Sequence, residues 1–352
     1  MGRFEPIACP TGFSTTRALR VLRGVAPNII IQGGDTLHDI ADQIVAQVAE
    51  AFPRDLPVVL DYIAAHANGI DPKMAAVIIE ATKRRLALCE LLRSHPGGAL
   101  EFEDADLHFG NVKGACLPLI GLQYSNLAEA NFTGANLSGG QFQGAEAPGA
   151  TFEKADLSAA DLTAVDFHRA NFTDTNLSRA NLYMAEFTSA IFNNTDLSHV
   201  NATDTNFFRA DLRGTNLYMA NLTRAILYEA NLTGVNLSET DLTRASLREA
   251  TLNSANLRFA VLLGTSLIEA SLIGTDLTCA HLMNANLNGA DLTGANLTDA
   301  NLSGANLSGA NLSGANLTGA IFLDADIRSA ILTDAILDGA TFAGADFTGG
   351  IL

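Results

Sequence analysis

The chain has no tryptophan, only nine prolines and four cysteines in 352 residues, and 21 bases against 38 acids. Each shortage excludes something. Cys9, Cys89, Cys116 and Cys279 lie far apart and form no CxxC. They supply neither a disulfide framework nor a thiolate zinc site, and read as free thiols in a reducing, cytoplasmic compartment. No apolar run is long enough to span a bilayer. The opening Met1-Gly2-Arg3-Phe4-Glu5-Pro6 lacks the apolar core of a signal peptide, and Pro6 spoils a myristoylation signal. No membrane role is expected. The seven histidines, His108, His168, His199 and His281 among them, share no metal-type spacing, and no Walker loop, GxGxxG or HExxH occurs. The expectation is therefore no catalytic residue, no metal, no cofactor and no enzyme.

Bases are scarce in one half only. The residues before the repeats carry ten acids and ten bases, whereas those from Glu101 onward carry 28 acids and 11 bases. The whole net charge of −17 sits there. Direct nucleic-acid binding needs a basic stripe, so none is expected. A protein partner with a basic surface suits this balance.

What the sequence does have is a period of five. Stepping from Phe102 through Leu107, Val112, Leu117, Leu122, Leu127 and Phe132 to Leu352 gives 51 centre positions, of which 47 are Leu or Phe. The exceptions are Val112, Ala147, Ala202 and Ile327, and no insertion breaks the frame. Ala usually stands two residues before each centre, with Asn or Asp between. Five matches neither a 3.6-residue helix nor a two-residue strand. The chain must turn regularly so that every centre points to one axis, which demands a stacked repeat.

Tandem A(D/N)LXX units such as Ala130-Asn131-Phe132-Thr133-Gly134 and Ala295-Asn296-Leu297-Thr298-Asp299 resemble the pentapeptide repeat family. The resemblance implies a mainly β fold: a right-handed quadrilateral β-helix, a pentapeptide-repeat solenoid with four units per coil. Independent support comes from residues 20 apart. Phe132, Phe152, Phe172 and Phe192 keep that step, as do Phe167, Phe187 and Phe207, the pair Phe322 and Phe342, and the series Thr175, Thr195, Thr215 and Val235. Rings stacked in successive coils fill a narrow core that scattered rings would jam. About 13 coils at ~4.8 Å make a rod on the order of 60 Å, roughly 18 base pairs of duplex.

Two domains are expected: 1–99, mainly helical with 1–13 loose, and 100–352, the solenoid. In the first, Ser14 caps a short helix from Thr15 to Arg23, and Asn28-Ile29-Ile30-Ile31 reads as one strand. Three longer helices follow. One runs from Asp35 to about Ala51, one from Asp55 and Pro57 to about Ala67, and one from Asp71 and Pro72 past Leu86 and Leu91 to His95. This small N-terminal α-helical domain is expected to cover the open edge of the first coil. The early coils read as irregular, with Pro118 and Pro148 facing outward and Ala147 at a centre. Residues 285–319 repeat Ala-Asn-Leu-Ser/Thr-Gly almost unvaried and read as a spacer. Sequons at Asn131, Asn171 and Asn231 fall out of the repeat consensus.

The candidate partner-binding surface rests on two features. Glu229, Glu249 and Glu269 are 20 apart and should form a like-charge ladder, with Arg224, Arg244 and Arg248 nearby. Tyr183, Tyr218 and Tyr228 stand at outward positions, the first two within Asn-Leu-Tyr-Met-Ala units, as interface anchors. The family resemblance implies a non-enzymatic binding protein. Its best-understood members mimic DNA and bind type II topoisomerases, DNA gyrase especially. Two alternatives stay open. One is a secreted effector using the rod as a platform for host-cell proteins. The other is an architectural protein that homodimerises through its C-terminal coil.

Overall fold

The computed structural model describes residues 87–95 and 100–351. By internal contacts the chain divides into two compact units, Met1–Leu91 with Phe109–Asn111, and Leu92–His108 with Val112–Leu352. The expected elements before residue 87 lie outside the described residues. What is described is α1, residues 87–94, the last part of the third expected helix. Cys89 and Leu92, three apart, are its buried positions, while Leu91 is exposed.

From Glu101 onward every pentapeptide repeats one backbone pattern. Parallel one-residue bridges join positions 20 apart, from Glu101↔Gly121 to Ile331↔Ile351. Four units therefore make one coil of a β-helix solenoid, as the 20-residue steps imply. Each unit turns at a corner. The N–H of the alanine position donates to the carbonyl of the centre three residues back, as Ala135 N does to Phe132 O at 2.9 Å. The second residue after each centre has positive φ, without exception from Asp104 to Gly349. A type II turn needs that sign at its third residue and favours proline at its second. Pro118 and Pro148 occupy that second residue, so they suit the turn and do not disturb the coil.

The five backbone N–H groups of a unit show why the consensus reads as it does. Within a unit the N–H of the Asx position donates to the previous coil, as Asn136 N does to Ala115 O at 2.8 Å. Phe132 N donates to Thr151 O at 2.7 Å and Gly134 N to Glu153 O at 2.8 Å in the next coil. Ala135 N closes the turn. One donor is left, Thr133 N, and Asn131 Oδ1 accepts it at 2.9 Å. The Asn or Asp before each centre thus completes the set with an Asx turn. A hydroxyl at the following position adds a second bond to the same oxygen, as Thr233 Oγ1 does to Asn231 Oδ1 at 2.7 Å. The Asn-x-Ser/Thr pattern is the chemistry of this corner.

The core consists of centres and alanine positions, almost all without solvent exposure. The phenylalanine columns stack as their spacing implies. Ring centroids are 4.9 Å apart for Phe132–Phe152, 5.0 Å for Phe152–Phe172 and 5.1 Å for Phe172–Phe192. The Phe167–Phe187–Phe207 column meets this one edge-on, with Phe167–Phe172 at 5.0 Å. Buried threonines at alanine positions are satisfied: Thr195 Oγ1 donates to Phe172 O at 2.6 Å, as Thr175 does one coil earlier to Phe152 O. Ala147 is fully buried and the ladder runs through it unbroken.

Candidate interaction surface

Only three positions per unit face outward: the Asx position and the two corner residues. Each coil therefore has four corners, which the pairs Thr223–Arg224, Tyr228–Glu229, Thr233–Gly234 and Ser238–Glu239 define as first to fourth. Residues 20 apart share a corner. Glu229, Glu249 and Glu269 all fall on the second corner, and Tyr228 stands beside them. Tyr183 lies on the first corner and Tyr218 on the fourth. The structure thus brings together four of the six residues expected at one site and leaves the two other tyrosines elsewhere. Tyr183 and Met184 are exposed. The Tyr218 hydroxyl donates to Glu239 at 3.4 Å, with His199 edge-on to its ring.

The carboxylate ladder is partly neutralised from its own corner. Arg209 Nε donates to Glu229 Oε2 at 2.6 Å and Arg248 Nε to Glu249 Oε1 at 3.0 Å. Glu269 has no ion pair among the described residues. It leans over Gly289, where an added Cβ would lie 3.6 Å from its Cγ. Arg224, five residues before Glu229, belongs to the first corner and pairs there with Asp204, Nε to Oδ1 at 2.7 Å. The hydrogen bond from Arg209, helped by the nearby Tyr228 hydroxyl, holds the Glu229 carboxyl below the usual range. The neighbouring Glu229 carboxylate, then burial and the charge of Glu249, push the Tyr228 phenol up.

Phe208 and Arg209 were not singled out from sequence, yet they complete this corner with Arg248, which was. The Phe208 and Tyr228 rings stack at 5.4 Å with planes 13° apart. The Arg209 guanidinium sits 4.8 Å from the Phe208 ring centre, and the Tyr228 hydroxyl reaches Glu249 at 3.5 Å. A signal did exist. Phe208 follows the core Phe207 at an outward position and precedes Tyr228 by 20, the same step that identifies the core columns.

The repeated unit decides which family this fold belongs to. The family model for pentapeptide repeats matches in eight copies, at residues 125–163, 155–194, 190–227, 205–244, 225–262, 245–282, 295–334 and 324–352, more than half of the chain. The chain belongs to the pentapeptide repeat family. Among solved structures, it is similar to HetL, a pentapeptide repeat protein involved in heterocyst differentiation regulation from the cyanobacterium Nostoc sp. strain PCC 7120. Identity there is 34%, over 64% of this chain and 90% of HetL, with a TM-score of 0.35. A pentapeptide repeat protein of the Arabidopsis thaliana thylakoid lumen is 38% identical over 25% of this chain and 65% of its own, TM-score 0.23. Full-length QnrB1, a plasmid-mediated fluoroquinolone resistance protein, is 20% identical over 68% of this chain and 92% of its own, TM-score 0.21. No curated protein matches the chain.

Within this family framework the outward residues are not uniform along the axis. Eight of the solenoid's eleven bases lie between Arg169 and Arg258. All three of its methionines, Met184, Met219 and Met283, lie in or near the same stretch. The third corner is plain by contrast, with Gly214, Gly234, Gly274, Gly294 and Gly314 at its second position. Among the described residues no group of three or more His, Cys, Asp or Glu is arranged to hold a metal ion, and no helix is long and apolar enough to cross a membrane.

Proposed function

We propose that this protein is a non-enzymatic binding scaffold whose outward side chains, held on a regular backbone, recognise a protein partner. The supporting observation is retained strain. Positive φ at the second corner position suits glycine, yet 32 of these 50 positions carry another residue. A left-handed L-residue costs roughly 1–2 kcal/mol. Between Lys154 and Asn284 glycine takes the position only at 214, 234, 264 and 274. Strain kept where the side chains face solvent is strain kept for what those side chains do.

The acidic balance favours a partner with a basic surface, and the family resemblance makes DNA gyrase the first to test. Purified protein is added to a gyrase supercoiling assay with and without a fluoroquinolone, beside a Glu229→Gln/Glu249→Gln/Glu269→Gln variant. The expected outcome is dose-dependent inhibition or protection that the variant weakens. No effect at micromolar protein removes gyrase as the partner.

A further inference from the structure

Resting on the scaffold reading, we infer that the second corner from Phe208 to Glu269 is the docking ridge, and that it takes a protein segment carrying a basic side chain beside an apolar one. Phe208, Arg209, Tyr228, Glu229, Arg248 and Glu249 form one linked network over three coils. Among the described residues it is the only place where two outward aromatic rings stack. Ile226, exposed, flanks it on the Asx side, and Ile268 continues it. Aromatic residues and arginine dominate the energetics of protein interfaces. Here ring stacking and ion pairs already hold those side chains, so binding orders little that is not ordered beforehand.

Charge complementarity sets the occupant. Three carboxylates line the ridge, and arginines reach only two of them. Glu269, exposed and without an ion pair among the described residues, stands over Gly289, while Asn288 beside it is engaged with Ser308 of the next coil. A lysine or arginine of the partner neutralises Glu269 while its apolar neighbour covers Ile268 and Tyr228. The first and fourth corners also carry aromatic or apolar residues, but there the rings of Tyr183 and Tyr218 stand on different corners and do not join into one network.

The test uses the full chain with its isoleucine δ1 methyls carbon-13 labelled. Ile226 and Ile268 report on the ridge, and Ile191, Ile273, Ile321 and Ile336 report on other parts of the surface. The probe is a synthetic hexapeptide of alternating lysine and leucine, with a glutamate–leucine hexapeptide as control. Saturable shifts are expected at Ile226 and Ile268 with the cationic peptide alone. Binding should weaken about tenfold in Phe208→Ala/Tyr228→Ala, the effect of losing one interface anchor, and also in Glu269→Gln. Unchanged positions of the remote isoleucines establish that the variants fold. Shifts spread evenly over all isoleucines, no saturation, or an unaffected double variant overturn the ridge. Saturable shifts centred elsewhere overturn it too, but leave the scaffold reading standing. A responding ridge with no effect on gyrase removes gyrase and keeps the ridge.

Discussion

At the residue scale, the second corner position is where sequence and backbone pull hardest against each other. Ala159 and Ala164 are exposed there with φ of 55°. Ala164→Gly should therefore stabilise its coil by up to about 1 kcal/mol, the left-handed penalty less the extra freedom glycine gains unfolded. The converse is Gly309→Ala. An added Cβ meets nothing within 4 Å at Gly309, yet φ is 69°, so the loss, also about 1 kcal/mol, is purely conformational. Amide hydrogen exchange of the flanking coils measures both. A loss at Ala164→Gly would show that the alanine side chain is itself needed.

At the element scale, a coil is stable only against its neighbours, since each contributes one layer to a shared core. Phe172 sits at the centre of the stack: it stacks on Phe152 and Phe192 and meets Phe167 and Phe187 edge-on. Phe172→Ala should cost about 3–5 kcal/mol. Because coupling is local, opening should be seen by hydrogen exchange in the coils around it while residues 285–319 stay protected. Uniform loss of protection along the solenoid would mean that the stack opens as a single unit.

At the scale of the whole molecule, acid excess and ion pairing set the pH response. Arginine partners hold Asp204, Asp211, Glu229 and Asp326 below their usual carboxyl range. A depressed folded value contributes stability that is present above the unfolded value and lost as pH falls through the folded one. Glu129 runs the other way. Desolvation, only partly offset by Arg169, raises its carboxyl, so its contribution is present at low pH and lost as pH rises through the folded value. Thermal melts from neutral to acidic pH should show stability falling below the ordinary carboxylate range. Glu129→Gln should raise the melting temperature at neutral pH and leave it unchanged in acid. An equal gain at every pH would assign the effect to packing.

Much of this was legible in the sequence, and the reason is local. A fixed five-residue step makes the partner of any residue its neighbour 20 positions away, so the coil, the phenylalanine columns and the Thr175–Thr195–Thr215 column can be read from numbering alone. The same step placed Glu229, Glu249 and Glu269 on one corner. It placed Tyr183 and Tyr218 on two others, which treating them as like residues overlooked. The sequence by itself determined the solenoid, its core and the column each side chain occupies, because these follow from a period. Only the tertiary structure decided which long side chains meet. Arg224 turns to Asp204, Arg209 to Glu229, and Phe208 stacks on Tyr228, because rotamers and the reach across a coil choose among neighbours that spacing leaves equivalent.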